Sequence, residues 1–126
     1  MNVVVDTNAL VYAAKHKVDL GTEIARVIDR SEVFVPDCVL IELEKLSKSA
    51  RKGAEKDAAK LALQLVKHYK FKTLKLGEGH CDDLILNWIE KNSGVVITND
   101  SGFRARLKNV NVKTLAIRQK RLLAYA

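Results

Sequence analysis

Proline, glycine and cysteine are all scarce in this sequence, which has one, six and two of them in 126 residues. So little proline and glycine excludes a linker-rich or low-complexity chain, and 48% hydrophobic with 29% charged residues is typical of an ordered globular protein. The two cysteines, Cys38 and Cys81, lie far apart without a C-x-x-C partner, which favours neither a zinc site nor a disulfide framework. We therefore expect both to be ordinary, partly buried thiols.

Long apolar runs are also missing, and none approaches the roughly 20 residues that a membrane-spanning helix needs. The first residues lack the charged-then-apolar order of a signal peptide. We expect a cytoplasmic protein with no membrane partner. Its length supports one hydrophobic core, which predicts a single domain over residues 1–126.

Positive charge is in excess and is concentrated in two segments. Residues 45–75 hold ten lysines or arginines against Glu55 and Asp57, and residues 101–126 hold seven and no acid. The net charge is only +7, so the rest of the chain is acidic. These segments, the second ending in a basic C-terminal tail at 117–126, indicate a cationic surface for a polyanion beside a carboxylate-rich site. The alternative is that the lysines occupy solvated helix faces.

Strands and helices alternate in the predicted order of elements. Apolar runs predict strands at 2–6, 33–35, 72–76, 95–98 and 112–115. Helical spacing of apolar residues predicts helices at about 8–16, 22–30, 39–46, 54–69, 84–89 and 102–108. This order is typical of a parallel sheet covered by helices on both faces, with VVV and VVI as its central, buried strands.

A carboxylate follows each predicted central strand, Asp6 after VVV and Asp100 after VVIT. Open α/β sheets bind ligands at the carboxyl ends of their strands, so both carboxylates reach the same functional edge. For a single aspartate, capping the next helix is the simpler explanation, and Asn8 or Ser101 are alternative caps. Because both strands deliver an acid, we interpret Asp6 as a site residue and leave the capping role to Asn8.

Two further candidate acids lie on predicted helices. Helical geometry places Asp82 at the border of an apolar stripe and turns Asp83 away from it. In the helix after Pro36, Glu42 and Glu44 flank the apolar stripe, and geometry alone does not choose between them. The alternative for each acid is a solvated helix edge or a favourable interaction with the helix dipole.

Four carboxylates held close together raise one another's pKa, and a divalent cation removes the conflict. Oxygen ligands favour Mg²⁺ or Mn²⁺, and a pair of such ions can activate water and stabilise the leaving oxygen in phosphodiester hydrolysis. Other chemistries fit less well. No glycine-rich turn follows the first strand, as a dinucleotide-binding domain or P-loop requires. A haloacid-dehalogenase-like phosphatase would have aspartate where Asn8 stands, and a catalytic triad lacks its serine or cysteine elbow.

Four segments resemble, in order, the motifs of PIN domain nucleases: VVVDTNAL, VLIELEKL, CDDLIL and VVITND. Each is a weak motif alone, but the four occur at suitable spacing and span nearly the whole chain. The resemblance selects Glu42 over Glu44. It also selects Asp82 over Asp83, in agreement with the helical geometry.

The resemblance implies a three-layer α/β/α fold in which the strands bearing Asp6 and Asp100 are neighbours in a central parallel sheet. It implies a metal-dependent endoribonuclease that uses Mg²⁺ or Mn²⁺. The implied catalytic and metal-binding residues are Asp6, Glu42, Asp82 and Asp100. The implied supporting or substrate-orienting residues are Asn8, Asp83 and Thr98.

Two roles within this family stay open at the level of sequence. A VapC-type toxin would cut cellular RNA and be restrained by a small antitoxin protein, whereas a processing nuclease would mature rRNA or other RNA without one. The family resemblance also implies a homodimer. The alternative from another functional class is a non-catalytic RNA-binding or scaffold PIN domain.

Overall fold

The structure, a computed structural model, describes residues 1–49 and 53–126. Arg51 and Lys52 of the first basic segment therefore lie outside the described residues. The strands are β1 (Asn2–Val5), β2 (Glu32–Pro36), β3 (Lys72–Leu74), β4 (Val95–Ile97), β5 (Lys113–Arg118) and β6 (Leu122–Tyr125). The helices are α1 (Thr7–Lys15), α2 (Leu20–Val27), α3 (Asp37–Ser47), α4 (Gly53–His68), α5 (Cys81–Asn92) and α6 (Ser101–Asn109).

The strands form one sheet in the order β3-β2-β1-β4-β5-β6. Every neighbouring pair is parallel except β5 and β6. Strands β1 to β3 are added toward one edge of the sheet, whereas β4 and β5 are added toward the other edge. Because crossovers between parallel strands are right-handed, α5 and α6 therefore lie on the opposite face from α1 to α4. The predicted three-layer α/β/α fold is confirmed, and its central sheet, which we predicted to be parallel, is so except for the antiparallel strand β6. The pairing of β1 with β4, in which Val5 lies opposite Ile97, is also confirmed.

The two central strands are the apolar runs that the sequence suggested. Each residue of VVV and VVI is at most 1% exposed, because helices cover both faces of the sheet there. Gly94 allows the two strands to start side by side. Its φ is +131°, and a Cβ at this position would collide with the backbone carbonyl of Asn2. Within the described ranges, no helix has the length and apolar character needed to cross a membrane.

The end of the chain differs from the prediction. We expected a basic tail at 117–126, but the last part of β5 and all of β6 lie there. The strand was missed because LLAY is short and follows a turn of polar and basic residues. Helix α2 covers the outer edge of β6: the Leu123 N–H donates to Glu23 Oε1 at 2.9 Å, and the Leu123 carbonyl accepts from Arg26 Nη2 at 2.7 Å. The edge backbone is therefore satisfied at Leu123.

The prediction for the cysteines was wrong. Cys38 and Cys81 are joined in a disulfide, with their Cα atoms 5.7 Å apart. Both are buried, as expected, at 9% and 7% exposure. The spacing of the two cysteines did not predict this pairing, because 43 positions separate them in the sequence. They come together because β2 and β3 are parallel neighbours in the sheet. Cys38 follows β2 directly and Cys81 follows the loop after β3, so both lie at the carboxyl edge of the sheet.

Candidate active site

Asp6 lies at the carboxyl end of β1 and is 5% exposed. Its Oδ1 accepts a hydrogen bond from the Thr7 N–H at 2.8 Å, and its Oδ2 accepts one from the Thr98 hydroxyl at 3.0 Å. Asp6 is itself the N-cap residue of α1. The assignment of the capping role to Asn8 was therefore wrong, since Asn8 lies within the first turn of that helix.

Asn8 and Thr98 connect β1 and α1 to the end of β4. Asn8 Oδ1 accepts from the Asn99 N–H at 2.9 Å and lies 3.2 Å from Thr98 Oγ1. The Thr98 hydroxyl, which is fully buried, also accepts from the Asp100 N–H at 3.1 Å. A hydroxyl has one proton, so Thr98 donates to either Asp6 or Asn8 at a given moment. These bonds place Asp6 and Asp100 relative to each other.

Asp100 is the N-cap of α6. Its Oδ1 accepts from the N–H groups of Gly102 at 2.9 Å and Phe103 at 3.2 Å. Helix capping was the alternative interpretation for Asp100, and it accounts for the hydrogen bonds of one of the two carboxylate oxygens, Oδ1. The bonds hold the carboxylate at the carboxyl edge of the sheet, next to the end of β1.

Glu42 lies on the second turn of α3, and its Oε2 accepts from the Thr7 hydroxyl at 2.9 Å. Thr7 thus supports two acids, Asp6 through its N–H and Glu42 through its hydroxyl. We did not predict a role for this residue. The signal was present in the sequence, because a hydroxyl residue directly follows the aspartate at the end of the first strand.

Asp82 and Asp83 occupy the first turn of α5 and separate as the helical geometry predicted. Asp82 faces the site, whereas Asp83 forms an exposed ion pair with Arg106, whose Nη2 lies 2.6 Å from Asp83 Oδ1. Asp83 is therefore not part of the cavity lining, and the supporting role that the family resemblance implied for it stays a prediction.

One cavity of about 310 Å³ brings the predicted acids together. Its acidic lining comprises Asp6, Glu42, Asp82, Asp100 and also Glu55, from the first turn of α4, which we did not predict. The remainder of the lining is Thr7, Asn8, Val11 and Leu46. Glu44 is not among these residues. Glu55 stood in a lysine-rich stretch without any motif, so no sequence signal separated it from a solvated helix acid.

A larger cavity, of about 830 Å³, includes Asp19, Tyr69 and Lys72 in its lining and has fewer free carboxylates. The Tyr69 hydroxyl donates to Asp19 at 2.7 Å, and Lys72 pairs with Glu32 at 2.7 Å. Both acids of that cavity are therefore already partnered. The smaller cavity has the greater density of carboxylates, and we take it as the candidate active site.

Burial and like charges shift the pKa values of two site acids. Burial raises the pKa of Asp6 to about 6, the neighbouring Asp82 and Glu42 add to this effect, and hydrogen bonds from Thr7 and Thr98 oppose it. Burial, followed by the charges of Asp100 and Glu42, raises the pKa of Asp82. The site therefore concentrates negative charge in a partly desolvated cavity.

The cavity lining suits a hard divalent cation in the kind of donor it offers, since carboxylate and amide oxygens are the preferred ligands of Mg²⁺ and Mn²⁺. Among the residues that the structure describes, no three histidine, cysteine or carboxylate side chains converge tightly enough to enclose a metal ion. Mutual repulsion between carboxylates favours such a spread arrangement. The side chains are therefore chemically suited to a divalent metal ion. The acids are distributed around the cavity and do not converge on one point.

Comparisons with known proteins agree with the fold. Ribonuclease VapC4 of Methanocaldococcus jannaschii is 36% identical over 122 residues, which is 94% of this chain and 92% of that protein. The rRNA-processing protein FCF1 of Saccharomyces cerevisiae is 26% identical over 112 residues, which is 86% of this chain and 54% of FCF1. The solved structure of the PIN domain endonuclease Utp24 matches with a TM-score of 0.81 at 22% identity, covering 98% of this chain and 90% of that chain, and so shares its fold.

A family profile described as a PIN like domain matches residues 3–120, which include every residue of the carboxylate cavity. The mostly parallel sheet and the order of its strands agree with that match. The chain belongs to the PIN-like domain family.

Proposed function

We propose that this protein is an endoribonuclease that hydrolyses RNA phosphodiester bonds with the help of Mg²⁺ or Mn²⁺. The observation that carries the proposal is the cavity in which Asp6, Glu42, Asp82 and Asp100 meet at the carboxyl edge of the sheet. Open α/β folds place their ligand sites at this edge. The ribonuclease relative supports RNA as the substrate, because it matches nearly the whole chain.

In the proposed site Asp6, Glu42, Asp82 and Asp100 would hold the metal, which would supply activation of water and stabilisation of the leaving oxygen. The chain's own residues orient those acids. Thr7 fixes one oxygen of Glu42, and Thr98 and the Thr7 N–H fix Asp6. Asn8 supports the same arrangement through Thr98 and the Asn99 backbone. These bonds keep the carboxylates directed into the cavity before RNA arrives.

Positive residues near the cavity suit a polyanionic substrate. Arg106 forms an ion pair with Asp83 and offsets part of the negative charge around Asp82. Phosphate contacts from such groups supply much of the affinity of nucleic-acid-binding proteins. We propose that RNA approaches the carboxylates across the start of α5 and the face of α6.

The biological role is proposed in two forms. VapC4 is the more similar of the two relatives and covers this chain almost end to end, which favours a VapC-type toxin restrained by a small antitoxin. The rRNA-processing protein FCF1 keeps a processing role open. Growth arrest on expression alone, relieved by a short open reading frame adjacent to the gene, would assign the toxin role. Unimpaired growth would favour processing.

Adjacent aspartates give a matched test of the nuclease. We expect Asp82→Asn to abolish cleavage of a structured RNA in Mn²⁺ or Mg²⁺, because it removes an acid from the cavity. Asp83→Asn makes the same chemical change one residue away and loses only an exposed ion pair, so it should keep near-wild-type activity. Cleavage is measured on labelled RNA, with EDTA as the metal-free control.

Three outcomes would contradict the proposal: cleavage that persists in EDTA, cleavage by Asp82→Asn, or no cleavage of any RNA by the wild-type protein. In the last case, RNA binding that is unaffected by Asp82→Asn would identify the alternative, a non-catalytic RNA-binding or scaffold PIN domain.

A further inference from the structure

The disulfide connects the two helices that bring acids to the cavity from opposite faces of the sheet. Cys38 lies in the first turn of α3, one helical turn before Glu42, and Cys81 is the first residue of α5, directly before Asp82. Residues one turn apart share a helix face, so Cys38 and Glu42 lie on the same side of α3. The crosslink therefore joins two points that are each adjacent to an acid of the candidate site.

Asp37 reinforces the same junction through hydrogen bonds. Its Oδ1 accepts from the Leu76 N–H and the Cys38 N–H, both at 3.0 Å, and its Oδ2 accepts from the Gly77 N–H at 3.4 Å. These bonds anchor the loop that leads into α5. Among the hydrogen bonds and ion pairs found in the described residues, none joins α3 directly to α5. The start of α5 is therefore held to α3 by the disulfide and, through the loop before it, by the Asp37 bonds, while the ion pair of Asp83 with Arg106 holds it to α6.

Electrostatic repulsion acts against this arrangement. Asp82 faces Asp100 and Glu42, and all three side chains are acidic. Without a bound cation, the like charges that line this cavity favour movement of α5 away from α3 and the sheet edge. A covalent link beside Asp82 opposes that movement at all pH values at which the acids are ionised.

We propose that the Cys38–Cys81 disulfide is a positioning crosslink for the candidate site, so that the protein binds divalent metal, and hence cuts RNA, more weakly when the disulfide is reduced. The proposal rests on the proposed nuclease function. The reductant is a dithiol: it gives two electrons and two protons, the bond between the two sulfurs breaks, two protein thiols form, and the reductant becomes a disulfide. The residues just before Cys81, at positions 77–80, are exposed, so the disulfide lies next to a solvent-exposed segment from which a dithiol can approach.

Metal affinity provides a direct test that does not depend on cleavage. Oxidised wild-type protein, the same protein reduced with dithiothreitol and desalted without oxygen, and Cys38→Ala/Cys81→Ala are titrated with Mn²⁺ in a calorimeter. We expect the Kd to rise about tenfold or more on reduction, the size of effect typical for groups that orient metal ligands. The double variant should match the reduced protein whether or not it has been treated with reductant, and reoxidation should restore the wild-type Kd.

Far-ultraviolet circular dichroism and the fluorescence of Trp88, the single tryptophan, verify that each form is folded and that α5 is present. If the double variant or the reduced protein does not fold, a second measurement uses oxidised wild type alone. In dithiothreitol buffers of graded reduced-to-oxidised ratio, Mn²⁺ should then raise the proportion of reduced dithiothreitol at which half of the protein disulfide is reduced, because coupling between two equilibria is reciprocal.

The outcomes separate this inference from the proposed function. Equal Mn²⁺ affinity in both redox forms, or no binding in either, overturns the crosslink proposal. So does a midpoint of disulfide reduction that Mn²⁺ does not shift, where that measurement is the one used. Redox-dependent Mn²⁺ binding without RNA cleavage supports the crosslink and counts against the nuclease. Cleavage that is identical in oxidised and reduced protein supports the nuclease and overturns the crosslink.

Discussion

At the scale of single residues, Asp6 combines two properties that oppose each other. It is buried and near other acids, which favours its neutral form, and it accepts two hydrogen bonds, which favour its carboxylate. Burial is the larger effect, so the pKa of Asp6 rises to about 6. A carboxylate in such a position makes the metal-free protein less stable than it would be with a neutral side chain. Ligand sites commonly carry this kind of local destabilisation.

The first prediction concerns the pH dependence of stability without metal. Between the unfolded pKa of 3.8 and the folded pKa of about 6, the native state binds a proton that the unfolded state does not. The Asp6 contribution is therefore fully present below pH 4 and is lost as the pH rises through 6. The expected loss is on the order of 2 to 3 kcal/mol, since one pKa unit corresponds to about 1.4 kcal/mol.

Other carboxylates, such as Asp37, have lowered pKa values and the opposite pH dependence, so the comparison needs a variant. In EDTA, Asp6→Asn should be more stable than wild type at pH 8 and nearly equal to it at pH 4, as measured by urea unfolding. In Asp6→Asn, the Thr98 hydroxyl can donate its proton to Asn8 Oδ1, which lets its oxygen accept a hydrogen bond from the new side-chain amide. Asp83→Asn should follow wild type. A stability difference for Asp6→Asn that does not change with pH would contradict the prediction.

The second prediction concerns Thr7, whose hydroxyl holds Glu42. Thr7→Val keeps the shape and the backbone bond to Asp6 but removes the hydroxyl, and we expect metal affinity to fall roughly tenfold or more, as for other groups that orient metal ligands. Thr7→Ser keeps the hydroxyl and should retain most of the affinity. Calorimetric titration with Mn²⁺ measures both. Equal affinities for the two variants would exclude a positioning role for the hydroxyl.

At the scale of secondary-structure elements, β6 shows how this fold protects a sheet margin. The strand is antiparallel to β5 and has no further strand beside it. Glu23 and Arg26 of α2 bond to the N–H and carbonyl of Leu123 and to each other. An exposed pair of unsatisfied backbone groups would invite pairing with another chain. The two helix side chains take the place that a neighbouring strand would occupy.

The third prediction follows from this edge. Glu23→Ala should lower the free energy of unfolding by about 1 kcal/mol, because the Leu123 N–H loses its partner, and should increase self-association at high protein concentration. Glu90→Ala, at an exposed position of α5, is the control and should change neither property. Urea unfolding and size-exclusion chromatography measure the two effects. Identical behaviour of the two variants would mean that water satisfies the edge equally well.

At the scale of the whole molecule, the net charge of +7 coexists with an acidic cavity. The separation of the acidic cavity from the positive charge elsewhere is a property of the fold. The acids come from positions 6, 42, 55, 82 and 100 and meet only when the sheet has formed. The cations outside the cavity can bind phosphates without neutralising the acids within it. Long-range attraction and local chemistry therefore use different parts of the surface.

The fourth prediction is that RNA binding is strongly salt-dependent. In EDTA, which prevents metal-dependent cleavage, the affinity for single-stranded RNA should fall roughly 20- to 50-fold between about 50 and about 200 mM salt for three or four phosphate contacts. Fluorescence anisotropy with labelled RNA measures this change. An affinity that is insensitive to salt would show that the basic residues do not form the RNA-binding surface.

Much of this arrangement could be predicted from the sequence because uniform apolar runs and acids at strand ends have simple structural meanings. VVV and VVI are fully buried neighbours, and the acids after them lie together. The missed features depend on contacts between distant residues: the disulfide, the covered strand β6, the Thr7 bond to Glu42, and Glu55 in the cavity. Composition and periodicity describe one element at a time. They carry no information on pairs that meet only in the folded chain.

The disulfide also makes the protein a closed covalent ring with two tails. The ring runs over a separation of 43 residues and takes in most of α3, all of α4 and β3, an edge strand of only three residues. Closing a loop of this length restricts the unfolded chain and stabilises the fold by about 4 kcal/mol in the chain-entropy description. A single backbone cut inside the ring would leave the pieces attached, so a nicked molecule would run as one band in a denaturing gel until a reductant separated it into two.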